Sequence, residues 1–155
     1  MKKNIIIGFG KFAYDFTMRL YDNQITITSA DRISVIETCY VTTAVVKNNK
    51  VCKPKIANRV SGFFNMKRRA KKYDNVILIS DDTCDLGDAL RGLMQNENDD
   101  NSKLIKRCIA ITTQRQRIKH SGWFYSTLGN GNVLQVNNDS WTPDEILNFI
   151  KGKIK

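Results

Sequence analysis

The sequence has no acidic residue between Glu37 and Asp74, and that absence coincides with an excess of positive charge. This stretch contains Lys47, Lys50, Lys53, Lys55, Arg59, Lys67, Arg68, Arg69, Lys71 and Lys72. The other 15 basic residues equal the 15 acidic ones, so the segment from 47 to 72 accounts for the whole formal net charge of +10. A surface charged for solubility alone usually mixes both signs. The segment therefore favours a polyanionic partner, and a solvated basic face is the alternative.

Other features are also missing, and each absence excludes a class of protein. No apolar run approaches the roughly 18 residues of a membrane span, and the run at residues 5–7 is too short for a signal peptide, so we expect a cytoplasmic protein. The four cysteines form no CxxC pair, and the single histidine, His120, cannot complete a usual zinc set by spacing. We expect reduced thiols in or near the core.

A second acid-free stretch runs from Lys103 to His120, and three aromatic residues follow it at 123–125. Cations interleaved with aromatic rings suit single-stranded or looped nucleic acid, because the cations contact phosphates while the rings stack on bases. Residues 115–125 are predicted to form a loop that contributes to binding. The residues predicted to bind nucleic acid, DNA or RNA, are Lys53, Lys55, Arg59, Lys67, Arg68, Arg69, Lys71, Lys72, Arg115, Arg117, Lys119 and Trp123.

Hydrophobic periodicity predicts alternating strands and helices. Strands are predicted at 3–7, 24–29, 75–80, 107–113 and 132–136, with one more at 35–46 that continues into a hairpin turn. Helices are predicted after the strands at 3–7 and 75–80. Another is predicted over 55–72, with a stripe of Ile56, Val60, Phe63 and Phe64, and the last begins at Thr142, which caps it ahead of Pro143. This pattern is typical of an α/β protein, here a single three-layer domain over 1–155 with a mostly parallel, Rossmann-like sheet.

In such a sheet, ligands bind beyond the carboxyl ends of the strands. Three polar segments are predicted to meet there: the turn Gly8–Gly10, residues Ser80–Asp82, and residues Thr112–Arg117. Convergence of three segments on one edge marks it as a candidate ligand site.

The sequence "GFGKFA" at residues 8–13 resembles the GxGxxG/A fingerprint of Rossmann-type dinucleotide-binding domains. The resemblance covers about the first 32 residues and implies a nucleotide or NAD(P) as cofactor. It assigns the tight turn to Gly8, the approach of backbone to pyrophosphate to Gly10, and close helix packing to Ala13. It also implies that Asp31 contacts a ribose and that Arg32 suits a 2′-phosphate. The alternative is a glycine turn that binds no nucleotide.

The acidic sequence "SDDTCDLGD" at 80–88 is a second candidate for chemistry. Asp81 and Asp82 are predicted to hold Mg²⁺ for phosphodiester cleavage, or else to cap the helix that follows. No set of nucleophile, base and acid is apparent, so catalytic residues stay unassigned. Function hypotheses are therefore a non-catalytic nucleic-acid-binding protein, a nucleotide- or dinucleotide-binding regulatory domain, a Mg²⁺-dependent nuclease or phosphoesterase, and a module that recognises an acidic protein.

Overall fold

Strands and helices alternate along the chain. The structure, a computed structural model, describes residues 4–24, 32–36, 40–47, 50–51, 55–58, 70–94, 104–113 and 118–154. The strands are β1 (Asn4–Phe9), β2 (Arg32–Ile36), β3 (Tyr40–Lys47), β4 (Lys50–Val51), β5 (Lys55–Asn58), β6 (Asn75–Ser80), β7 (Cys108–Thr113) and β8 (Val133–Val136). The helices are α1 (Gly10–Asp22), α2 (Thr83–Leu93), α3 (Ile118–Leu128) and α4 (Pro143–Lys153), with a short 3₁₀ turn at Asn130–Asn132.

A parallel sheet forms the centre of the fold. The strand order is β4-β3-β2-β1-β6-β7-β8, and β5 pairs with β3. Strands β2, β1, β6, β7 and β8 run parallel, whereas β3 is antiparallel to β2. This arrangement confirms the predicted α/β, Rossmann-like sheet. The strands predicted at 3–7, 75–80, 107–113 and 132–136 are confirmed as β1, β6, β7 and β8.

Helices cover both faces of the sheet. Alternate residues of a strand point to opposite faces, so Ile5 and Ile7 pack into a cluster with residues of α2 and α3, while Ile6 packs with residues of α1 and α4. Because both faces are covered, β1, β6 and β7 are buried at every position. Burial on two faces explains why their sequences are continuous rather than alternating apolar runs.

Helices α1 and α4 follow the predicted patterns. Phe12, Phe16 and Leu20 are buried along one side of α1, as their spacing predicts. In α4, Thr142 Oγ1 accepts a hydrogen bond from the Glu145 N–H at 3.3 Å, and Pro143 occupies the first turn. The predicted cap is therefore confirmed.

The region predicted as a single strand at 35–46 is two strands. β2 ends at Ile36, the chain reverses, and β3 begins at Tyr40 antiparallel to it. A single strand of that length would exceed the usual 5 or 6 residues, and the reversal lets β3 extend the sheet. The hairpin is confirmed, because Lys47 pairs with Lys50. The strand predicted at 24–29 is wrong at Gln24, which lies in the turn after α1 with φ +50°, and its other residues lie outside the described ones.

The helix predicted over 55–72 is wrong at its start. Lys55–Asn58 form β5, which pairs antiparallel with Tyr40–Thr43 of β3. The edge of β3 offers unpaired backbone donors and acceptors, and pairing with them outweighs a helical pattern that begins with one isoleucine. Residues 59–69, including Val60, Phe63 and Phe64, lie outside the described part of the chain.

The loop predicted over 115–125 is wrong from Ile118 onward, where α3 begins. Phe124 and Leu128 are one helical turn apart and are buried against the cluster that contains Leu86 and Leu90 of α2. Packing of that face against α2 favours helix over loop.

Candidate ligand-binding edges of the sheet

The order of strands creates a switch point at β1. From β1 the chain crosses to β2 on one side and later to β6 on the other, and ligands of open α/β sheets bind beside such a point. Gly10 follows β1 with φ +75°, a conformation that favours glycine. A Cβ placed on Gly10 would lie 3.3 Å from Asp81 Oδ1, which follows β6. Two of the three predicted segments therefore meet, and the third begins beside them, because Thr112 pairs with Ser80. Residues 114–117 of that third segment lie outside the described ones.

The glycines do not divide the roles as the resemblance implies. Gly8 lies inside β1, where it pairs with Val35 of β2 and Ile79 of β6. Its assignment to the tight turn is wrong, and Gly10 forms that turn. Ala13 is buried in the cluster beneath α1, where a small side chain allows close packing.

The 2′-phosphate contact that the resemblance assigns to Arg32 is not reproduced at this edge. Arg32 is the first residue of β2 and pairs with Ile5, whereas Ile36 pairs with Phe9 beside the glycine turn. Four residues of strand separate the two ends by roughly 13 Å. Arg32 therefore lies at the opposite edge of the sheet, because β2 begins later in the sequence than predicted. Asp31 lies outside the described residues.

The N-terminus of α1 is suited to an anion, but a carboxylate lies beside it. Its N-cap residue Phe9 provides no side-chain cap, and its first turn contains no acidic residue. Backbone N–H groups and the helix dipole favour negative charge at such a terminus. Asp81, however, already places a carboxylate beside Gly10. A phosphate at this turn would require a cation between the two anions.

The acidic residues do not form a complete metal site among the described residues, where no group of three or more His, Cys, Asp or Glu side chains is placed to hold an ion. Asp82 occupies the position before α2, and its N–H donates to Ser80 Oγ at 3.0 Å. The position is that of a helix cap. Thr113, at the carboxyl end of β7, has a buried Oγ1 with no hydrogen-bond partner in the described part of the chain.

The opposite edge, where the parallel strands begin, collects cations from separate segments. Five segments reach it: the start of β2, the β3–β4 hairpin, the turns before β6 and β7, and the end of α4. We call this the basic edge, and its members are Arg32, Lys47, Lys50, Lys71, Lys72, Lys106, Arg107 and Lys153. Asp22 and Asp74 are the acidic residues described near it.

Hydrogen bonds connect neighbouring parts of the basic edge. The Arg107 Nη1 donates to the Tyr73 carbonyl at 2.8 Å, and the Val76 N–H donates to the Arg107 carbonyl at 2.9 Å. These contacts hold the turn that carries Lys71 and Lys72 against the turn that carries Lys106 and Arg107. Lys71, Lys72 and Lys106 are exposed.

Trp123 lies on the surface of α3, not in a loop. It is 39% exposed, and the Arg91 guanidinium stands 4.7 Å from the centre of its ring. Trp123 is therefore not a core residue. One face of the ring carries a cation, as in a cation–π pair.

The structure places only some of the predicted nucleic-acid-binding residues. Lys71 and Lys72 lie on the basic edge, Lys55 lies in β5, and Lys119 lies in α3. The remaining predicted cations, Lys53, Arg59, Lys67, Arg68, Arg69, Arg115 and Arg117, lie outside the described residues. Sequence reasoning missed Lys106, Arg107 and Lys153 as site residues, because only the fold brings the end of α4 and the turn before β7 to this edge.

Cys108 is buried, and its Sγ donates to the Leu104 carbonyl at 3.3 Å. Burial raises the pKa of this thiol to about 12, while Arg107 lowers it by a smaller amount. A neutral thiol is neither a nucleophile nor a metal ligand. Cys108 therefore belongs to the core.

Comparison of the chain with protein-family models, curated proteins and solved structures found no match. Within the described ranges, no helix has the length and apolar character needed to cross a membrane.

Proposed function

We propose that this protein binds nucleic acid, with the basic edge holding the phosphate backbone. The observation that supports this function is the meeting of cations from five separate segments along one edge of the sheet. Lysine and arginine supply most of the affinity of proteins for nucleic acids, because neutralising phosphates releases counterions.

The length of the basic edge suits a polymer. Neighbouring strands lie about 4.8 Å apart, so the six steps from β4 to β8 span roughly 29 Å. Successive phosphates in one strand of B-DNA are about 3.4 Å apart along the axis, so the edge is long enough for about eight of them. A small anion would use only part of this surface.

Helix dipoles are an alternative explanation for some of these cations. Basic residues in the last turn of a helix are stabilised by the dipole, and this suffices for Lys153 of α4. It does not explain Lys47 and Lys50, which lie at a hairpin. The dipole therefore leaves part of the basic edge unexplained, whereas a polyanion accounts for all of it.

Titration of labelled single- and double-stranded DNA and RNA at several salt concentrations tests the proposal. We expect micromolar or tighter binding at low salt, and a log K against log salt slope of about −2 or steeper, which corresponds to at least about three phosphate contacts. No binding to any of the four probes at low salt would refute it.

A second candidate function, binding of a nucleotide together with Mg²⁺, is favoured by Gly10. The positive φ of Gly10 and the uncapped start of α1 suit a phosphate, and the Asp81 carboxylate beside them supplies a ligand for Mg²⁺. Mg²⁺ is commonly bound by one or two carboxylates plus substrate phosphates. The same carboxylate disfavours NAD or NADP, whose pyrophosphate would face it without a cation.

Thermal unfolding tests the second candidate. Mg²⁺ with ATP or GTP should raise Tm, whereas NAD, NADP or either nucleotide with a chelator should not. Asp81→Asn should abolish the rise, and Asp88→Asn, which removes an exposed carboxylate of α2, should preserve it. A rise that does not depend on Mg²⁺ would contradict the role given to Asp81.

A further inference from the structure

A cleft opens on the basic edge where four segments meet. The start of β6, the turn before β7, the 3₁₀ turn and the end of α4 line it, and its polar lining residues are Asn75, Lys106, Arg107, Asn132 and Lys153. The cavity volume is about 50 Å³. A cavity needs roughly 10 to 15 Å³ of such volume to hold one water. The cleft therefore has room for about four water-sized atoms, and a phosphate group has four oxygens.

The electrostatics of the cleft favour an anion. Among the described residues, its lining includes three cations and no carboxylate. Asn75 Nδ2 donates to Asn4 Oδ1 at 2.9 Å, and Asn132 Nδ2 donates to the Leu128 carbonyl at 2.8 Å, so one donor of each amide is already used. The positive charge of the cleft comes from the cations.

The cations of the cleft are held from different directions. The hydrogen bond to the Tyr73 carbonyl orients the Arg107 guanidinium. Lys153 Nζ lies 3.7 Å from the place where a Cβ on Gly131 would stand, so the ammonium group lies beside the 3₁₀ turn. Neither Lys106 nor Lys153 forms an ion pair within the described residues. Both ammonium groups are thus available to a ligand.

We propose that this cleft binds a single phosphate group, with Lys106, Arg107 and Lys153 as its ligands. The inference rests on the proposed function in one respect: the phosphate belongs to a nucleic-acid strand lying along the basic edge. Because the cleft is concave, it fixes one phosphate and so sets the position of the strand. Phosphate contacts of this kind set register without reading sequence.

Inorganic phosphate tests the cleft without nucleic acid. At constant ionic strength, phosphate should raise Tm above the value in chloride. Lys153→Gln should weaken phosphate binding at least about fivefold, the size expected for one partly exposed charge-assisted hydrogen bond. The matched control is Lys151→Gln, because Lys151 is an exposed lysine of the same helix turn that does not line the cleft. Equal effects of phosphate and chloride, or an unchanged response in Lys153→Gln, would overturn the inference.

The same variants separate this inference from the proposed function. If the phosphate belongs to a strand, Lys153→Gln should flatten the salt slope of nucleic-acid binding by about 0.7 to 0.9, whereas Lys151→Gln should not. Loss of phosphate binding with an unchanged slope would overturn the assignment to a strand and leave the cleft to a small phosphorylated ligand. Failure of the wild type to bind nucleic acid would refute the proposed function, and the phosphate measurement would still decide the cleft.

Discussion

Replacing Lys71, Lys72 and Lys106 together by glutamine should reduce the salt dependence of nucleic-acid binding. All three side chains are exposed and lie on two turns held together by Arg107. They make up to about three phosphate contacts, so the log K against log salt slope should flatten by roughly 2.1 to 2.7. Raising salt from about 50 to about 200 mM should then weaken the wild type roughly 20- to 40-fold more than the variant. The free energy of unfolding should barely change, because none of the three belongs to the core.

Fluorescence anisotropy with a labelled oligonucleotide long enough to span the edge measures these slopes. A variant with arginine at the same three positions keeps the charge and should keep the wild-type slope. Lys11→Gln, in the first turn of α1 at the other edge, should change the slope less per charge removed. A glutamine variant that binds as tightly as the wild type at every salt concentration would refute the role of these lysines.

Three further predictions follow from single residues. Gly10→Ala should lower the free energy of unfolding by about 1 to 2 kcal/mol, because φ is +75° and the new Cβ would approach Asp81 Oδ1 to 3.3 Å. Unchanged stability in chemical denaturation would contradict this backbone conformation. Folding raises the pKa of Cys108 from 9.0 to about 12, so above pH 9 the thiol loses its proton more readily in the unfolded chain. The free energy of unfolding should therefore be unaffected by this thiol below pH 9 and fall toward pH 12, by at most about 1.4 kcal/mol per pH unit. Cys108→Ala should remove the part of this decline that comes from the thiol. Equal declines in the wild type and the variant would contradict a raised pKa for Cys108. Trp123→Ala should cost about 0.5 to 1 kcal/mol of stability through the lost contact with Arg91, and about 1 to 3 kcal/mol of single-strand affinity through lost base stacking. A large fall in Tm with unchanged affinity would contradict both figures.

The parts of the fold that were predicted correctly depend on local sequence. β1, β6 and β7 are continuous apolar runs because helices cover both faces, and the start of α4 is marked by Thr142 and Pro143. Such signals are complete within a few residues and need no knowledge of the partner element. The α/β class follows from their alternation.

The parts that were wrong depend on partners distant in sequence. β5 is a strand because the edge of β3 is available to it, and α3 is helical because Phe124 packs against α2. Neither partner can be identified from the residues of the segment itself. The short apolar patterns at 55–58 and 118–128 were therefore insufficient.

The two candidate sites differ in the same respect: one follows from local sequence and the other depends on segments distant in sequence. Gly10 and Asp81 were expected to meet because each directly follows a buried parallel strand, and the structure places them together. The basic edge was not predictable, since Lys47, Lys72 and Lys106 come to the same edge of the sheet only through the strand order. Charge counting located the excess cations along the chain but not the surface that they share with the turn before β7.

The most direct test of the basic edge is the acetylation rate of each lysine, measured by mass spectrometry with and without bound nucleic acid. Brief labelling of the native protein reports which ammonium groups the nucleic acid covers. We expect bound nucleic acid to slow acetylation of Lys71, Lys72, Lys106 and Lys153, and to leave Lys11, at the opposite edge, unchanged. Equal protection of Lys11, or no protection of the four lysines in the presence of saturating nucleic acid, would contradict the proposal.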